Sequence, residues 1–198
     1  MRLIRKRLTR EETRERIMAK ADELFRQFGF GKTTVAEIAA ELDMSPANIY
    51  KFFSSKDAIV QAGAERALAA LSEEIDRDAN EPGTVLGRIE KILLRIYRHF
   101  VGAFRNERQI FKLLDLAHEQ KWECVRQFDQ AILKTLTGLV EEGIKTKEFR
   151  SGNPSILAHL VFDSLTLVMM PHSYPREGGE LNADRVSKLV RFVGRALK

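Results

Sequence analysis

The chain of 198 residues carries 33 Lys and Arg against 28 Asp and Glu, a net charge of +5. With 44% hydrophobic and 31% charged residues it has an ordinary globular composition, which excludes collagen-like, low-complexity and wholly disordered classes. The single cysteine, Cys124, excludes a disulfide framework and a cysteine-only zinc site and fits a reducing cytosol.

The most apolar stretch, Leu157 to Met170, is interrupted by His159, Asp163, Ser164 and Thr166 and ends at Pro171, so no membrane span is expected. The N-terminus lacks the apolar run and small-residue cleavage site of a signal peptide, and a cytoplasmic location is expected. Arg2, Arg5, Lys6, Arg7 and Arg10 stand in the first ten residues with no acid among them. Beyond residue 57, 21 basic residues face 19 acids, so the excess lies at the front. A basic front fits a polyanion partner, nucleic acid ahead of membrane surface, and equally a solvated tail.

The first helix is predicted from about Arg10 to Phe28, capped by Thr9 and stopped by Gly29, with Ile17, Ala21, Leu24, Phe25 and Phe28 on one face. Thr34 and Glu37 form a capping-box pattern before a short second helix carrying Val35, Ile38, Ala39 and Leu42. Asp43-Met44-Ser45 is a three-residue turn in which Asp43 tolerates left-handed geometry. Ser45 then caps a third helix with Pro46 at its first position, expected to run to Phe53. A long fourth helix, about Lys56 to Ala79, reads as a connector between two domains, 1–55 and 56–198. Asn80-Glu81-Pro82-Gly83 breaks the chain. Helices follow over about 85–104, 109–118 and 123–145. Asn153 and Pro154 start the eighth, 154–170, and Asn182 caps the ninth, with a stripe of Val186, Leu189, Val190, Val193 and Leu197. The fold class is all-α, with about nine helices.

The second and third helices form a helix-turn-helix. At 100° per residue, Ile49, Phe53 and, less squarely, Phe52 turn inward toward Leu24, Phe28, Val35, Ile38 and Leu42. Ala47, Asn48 and Lys51 turn outward, with Tyr50 on the flank. Asn pairs bidentately with adenine and Ala contacts a thymine methyl, which suits a major groove. Lys51, Lys56, Tyr50 and the hydroxyls of Thr33, Thr34 and Ser45 are candidates for phosphate contact. Any small three-helix domain also shows polar outward residues, so the helix pair alone is weak evidence.

The fuller string is more specific: Arg16-Ile17, Ala21, Leu24-Phe25, Gly29-Phe30, Thr33-Thr34-Val35, Glu37-Ile38-Ala39, Met44-Ser45, Ile49-Tyr50, Phe53 and Lys56-Asp57. Over residues 10–60 the chain resembles the DNA-binding domain of the tetracycline-repressor (TetR/AcrR) family. That resemblance implies a homodimer whose N-terminal domain binds a pseudo-palindromic operator duplex and whose C-terminal domain binds a small effector. It implies phosphate contacts for Thr34, Tyr50 and Lys56, base-reading positions at Ala47 and Asn48, and a four-helix bundle with a second subunit through helices 8 and 9. Phe192 lies beside the stripe of the last helix and widens it, as a dimer face would. Two positions depart from the family pattern. Asp43 replaces a common Gly in the turn, and Phe52 stands where the family often has a His that contacts phosphate, a contact that the adjacent basic Lys51 is expected to take over.

No catalytic motif is present: there is no nucleophile elbow, glycine-rich phosphate loop or Ser-His-Asp ordering, and no cofactor is implied. His159 and Asp163 at i, i+4 offer two metal ligands, which do not make a site; a hydrogen-bonded pair is the commoner arrangement. His118-Glu119 lacks the second His of a zinc-protease motif. For an effector pocket the candidates are Phe100, Phe104 and Trp122 as apolar wall, with His159, Asp163 and Thr166 as a polar line on one helix face. An apolar or amphipathic effector that releases a repressor from its operator is expected. The alternative is a dimeric DNA-binding protein whose C-terminal domain only dimerises.

Overall fold

The computed structural model describes residues 8–106, 117, 120–169 and 183–198. Among the described residues there are eight helices and no strand, as the all-α reading expects. They are α1 (Arg10–Phe28), α2 (Val35–Glu41), α3 (Pro46–Ile49), α4 (Lys56–Ala79), α5 (Val85–Asn106), α6 (Glu123–Lys145), α7 (Pro154–Met169) and α8 (Ala183–Leu197). The helix expected over 109–118 falls on residues of which only Ala117 is described. No helix among the described residues is long and apolar enough to cross a membrane.

The chain forms two compact units, one of residues up to Ala67 with Gln109–Cys124, the other of Leu68–Arg108 with Val125–Lys198.

In the first unit the helix starts are built from local polar chemistry. Thr9 and Glu12 close a capping box on α1, with Thr9 N–H donating to Glu12 Oε2 at 2.7 Å and Glu12 N–H to Thr9 Oγ1 at 3.1 Å. Ile17, Ala21, Leu24 and Phe25 of α1 are buried with Val35, Ile38 and Ala39 of α2 and Ile49 of α3. Each large aliphatic side chain so buried contributes about 1.5–3 kcal/mol. Phe28, expected in this core, is half exposed and lines a groove of about 430 Å³ with Leu24, Lys32, Thr33, Glu37, Ala40 and Glu41.

In the second unit α5 packs on α7 and α8, which also pack on each other. Ile89, Ile92, Leu93 and Ile96 give α5 a fully buried stripe. The start of α5 is capped from a distance: the Glu148 carboxylate accepts from Val85 N–H at 2.8 Å and Leu86 N–H at 2.9 Å. Asn153 caps α7 as expected, its Oδ1 accepting from Ile156 N–H at 3.2 Å.

Candidate nucleic-acid interface

The helix-turn-helix is assembled from short-range bonds. At its entrance, Thr34 N–H donates to Glu37 Oε2 at 2.7 Å, and Glu37 N–H donates to Thr34 Oγ1 at 3.2 Å. These bonds hold the Glu37 carboxyl below the usual range, first through the Thr34 backbone N–H, then through its hydroxyl, with a smaller contribution from the Lys56 charge. At the exit of α2, Asp43 takes φ +54°. Its N–H donates to Ala40 O at 3.2 Å, and Met44 N–H donates to Ala39 O at 2.9 Å, the pair of bonds that closes a helix through a left-handed residue. Asp43 thus takes the left-handed position of the turn, as the sequence expects.

Ser45 then caps α3, its Oγ accepting from Asn48 N–H at 3.2 Å, with Pro46 following it. The α-helix ends at Ile49, not Phe53. Tyr50 N–H still reaches Pro46 O at 3.1 Å, but Lys51 and Phe52 bond three residues back, to Asn48 O and Ile49 O, and the chain tightens into a turn. Ile49 and Phe53 are buried, so the inward face is as expected. Ser45, Pro46, Ala47, Tyr50 and Lys51 are exposed and Asn48 is half-buried. The four residues of the expected outward face, Ala47, Asn48, Tyr50 and Lys51, therefore stand together with Pro46 and the cap Ser45 at or near the surface. Thr34 is exposed as well.

Thr33 is a correction. It is buried, and its hydroxyl donates to Gly29 O at 3.0 Å and approaches Leu24 O at 3.4 Å, so it satisfies the turn after α1 and does not face DNA. Lys56 also has internal partners: its ammonium donates to Phe30 O at 2.7 Å and Thr33 O at 2.9 Å.

Arg14 escaped the sequence reading, and Arg10, read there only as part of the basic front, has a contact of its own. Arg14 lies 4.3 Å from the centre of the Phe53 ring and donates to Phe52 O at 3.4 Å. Arg10 lies 5.6 Å from the Phe52 ring and donates to Lys51 O at 3.4 Å. Together they tie the first turns of α1 to the end of the recognition segment. The available signal was the i, i+4 spacing of two arginines on α1 and the Phe52-Phe53 pair. The rest of the basic arm, Arg2, Arg5, Lys6 and Arg7, lies outside the described residues.

The family model of bacterial regulatory proteins, tetR family, matches residues 17–62, and that of the tetracyclin repressor-like C-terminal domain matches residues 87–190. The chain belongs to the TetR family. This TetR-family protein is 28% identical over 163 residues to the uncharacterized HTH-type transcriptional regulator YvaF of Bacillus subtilis, covering 81% of this chain and 83% of that one. Its fold is similar to a TetR/AcrR-family regulator of Thermobifida fusca at 23% identity and TM-score 0.73, covering 94% of this chain and 99% of that one. It is also similar to the transcriptional regulator FadR of Bacillus subtilis, solved in complex with stearoyl-CoA, at 16% identity and TM-score 0.65, covering 93% and 99%. Its helix-turn-helix is a DNA-binding element, and the protein is a transcriptional regulator.

Four of the effector-pocket candidates of this TetR-family chain, Phe100, Trp122, His159 and Asp163, have described side chains. Phe100 is buried in the second unit, its ring 6.4 Å from that of Phe128. Trp122 is buried in the first unit, its indole N–H donating to Gln120 Oε1 at 3.0 Å. His159 and Asp163 are exposed, and His159 Nδ1 lies 2.7 Å from Ser155 O. They do not pair with each other and do not join Phe100 in the core. The side chains of Phe104 and Thr166 lie outside the described residues. Among the described residues no group of three side chains could hold a metal ion.

On α7, His159 and Asp163 share their side with Ile156 and Leu160, each 60% exposed. On α8, Phe192 is 72% exposed while Val186, Val190 and Leu197 are buried. Large apolar side chains this exposed on two adjacent helices form a surface that water does not favour.

Proposed function

We propose that this TetR-family regulator is a homodimeric repressor that binds a pseudo-palindromic operator and is released by a small amphipathic effector. The observation that carries the DNA half is the exposed group Ser45, Pro46, Ala47, Tyr50 and Lys51, with the half-buried Asn48 among them, on a recognition segment fixed by caps at both ends of its turn. Asn48 and Ala47 read base edges; Tyr50, Lys51 and Thr34 contact phosphates. The exposed Ile156, Leu160 and Phe192 support dimerisation through α7 and α8, the eighth and ninth helices of the sequence reading. A twofold dimer sets two recognition segments about 34–36 Å apart, one turn of DNA.

For the effector, the similarity to a regulator solved with stearoyl-CoA supports an amphipathic ligand such as an acyl thioester. To act as inducer the ligand binds the DNA-incompetent state more tightly, because equal affinity shifts nothing. A second reading keeps the dimer and drops the effector; the burial of Phe100, one expected pocket wall, with its ring 6.4 Å from that of Phe128, supports it. Selection of DNA by the purified protein tests the first half: recovery of an inverted repeat is expected, and no inverted repeat refutes it. Thermal-shift screening with acyl thioesters, apolar carboxylates, phenols and cationic drugs, followed by operator titration, tests the second. A ligand that stabilises the protein and weakens operator binding is expected. Stabilisation with unchanged operator affinity rejects the inducer role for that ligand.

A further inference from the structure

Lys56 is the first residue of α4, yet its ammonium is bound to a segment 23 to 26 residues earlier in the chain. Two carbonyls accept from it, Phe30 O at 2.7 Å and Thr33 O at 2.9 Å, and the Phe30 ring centre lies 4.1 Å away. Two acceptors and an aromatic face thus surround a group with three donors. The Phe30 ring is itself held edge-on against Phe25, the centroids 5.4 Å apart.

The peptide unit between Thr33 and Thr34 is pinned on both sides. Its oxygen accepts from Lys56 at 2.9 Å, and its N–H donates to Glu37 Oε2 at 2.7 Å. This unit leads directly into the cap of α2, so its orientation sets the direction in which α2 leaves the loop. The positive charge of Lys56 also favours the ionised Glu37 that closes the capping box. Drawing the ammonium out to a DNA phosphate would leave two partly buried carbonyls without this donor.

We propose that Lys56 is a positioning residue for DNA recognition, which acts by holding the α1–α2 loop through its carbonyls instead of neutralising a phosphate. The proposal rests on the DNA-binding reading above. It separates Lys56 from Lys51, which is exposed on the recognition segment and takes the phosphate role. A cation that contacts a phosphate contributes to the salt dependence of binding, about 0.9 in the log–log slope for each contact. A cation that only shapes the protein contributes to affinity and leaves that slope alone.

The test uses the full-length protein and the duplex it selects from random DNA, with affinity measured over a series of salt concentrations. Lys56→Met keeps the aliphatic stem and removes the donors. It is expected to bind about tenfold more weakly at every salt concentration, with the wild-type slope, a change of about 1.4 kcal/mol. Lys51→Met is expected to lower the slope. Lys56→Arg, whose guanidinium can donate to the same carbonyls and stack on Phe30, is expected to restore most of the affinity. Without DNA, hydrogen exchange at the Thr34 and Glu37 amides is expected to speed up in Lys56→Met. A slope lowered as much as in Lys51→Met, affinity equal to wild type, or unchanged exchange at those amides each overturns the proposal. Wild-type protein that selects no duplex overturns the DNA-binding reading and the proposal with it, and this outcome is distinct because it precedes any variant.

Discussion

Arg95 grips the carboxylate of Asp78 with two nitrogens of one guanidinium, Nη2 donating to Oδ1 at 2.9 Å and Nε donating to Oδ2. The pair ties the end of α4 to the middle of α5, and Lys91 adds a second cation 3.1 Å from Oδ1. Asp78 is almost wholly buried, so its charge is tolerable only because these donors surround it.

Stability should therefore fall in acid through Asp78. The Arg95 hydrogen bonds, more than the opposing burial, hold its carboxyl below the usual range. A folded-state value below the unfolded one, about 3.9, means that the contribution is complete above the unfolded value and is lost as pH falls through the folded one. Asp78→Asn is expected to cost roughly 3–5 kcal/mol at neutral pH and to flatten the loss of Tm as pH falls below about 4. Thermal melts of both proteins across that range check it; parallel acid limbs would contradict the assignment.

Two glycines on α6 should respond in opposite directions to alanine. A Cβ on Gly143 would fall 2.3 Å from Cδ2 of the buried Phe149 ring, so Gly143→Ala is expected to destabilise by roughly 1–3 kcal/mol. At Gly138 nothing lies within 4 Å of the added carbon, and Gly138→Ala is expected to stabilise by about 0.5–1 kcal/mol through helix propensity. Urea unfolding midpoints measured side by side decide the signs.

Asn48 and Lys51 should divide reading from positioning on DNA. Asn48→Ala is expected to relax preference at one base pair per half-site, costing about 1–3 kcal/mol there and little elsewhere. Lys51→Ala is expected to weaken all sequences alike. Competition titrations against single-base variants of the selected duplex measure both; loss of preference in Lys51→Ala alone would reverse the roles.

Charges on the exposed apolar side of α7 and α8 should separate the subunits. Phe192→Glu or Leu160→Glu places an unpaired carboxylate in an apolar contact, which costs several kcal/mol in association, and monomers are expected by sedimentation. Operator affinity should drop with dimer loss while far-UV circular dichroism stays helical. A fully dimeric Phe192→Glu protein would locate the interface elsewhere.

What the sequence alone determined is chemistry that acts over three or four residues. The Thr34–Glu37 box, the Ser45-Pro46 start, Asp43 in the turn and Asn153 before Pro154 each contain both partners of a bond within one short string, so residue type and spacing suffice. The family-specific string follows from the same local order and made the fold class legible. Tertiary structure decided the rest. Periodicity marks which residues share a face but not what that face meets, so His159 and Asp163 on α7 read as pocket although they point outward. Phe28 is half exposed for the same reason. The polar groups of Thr33 and Lys56 looked available for phosphate because their acceptors, carbonyls in the α1–α2 loop and at the end of α1, are backbone atoms that no residue type announces. Only the folded chain brings Lys56 to Phe30, and where a donor goes is settled by that proximity.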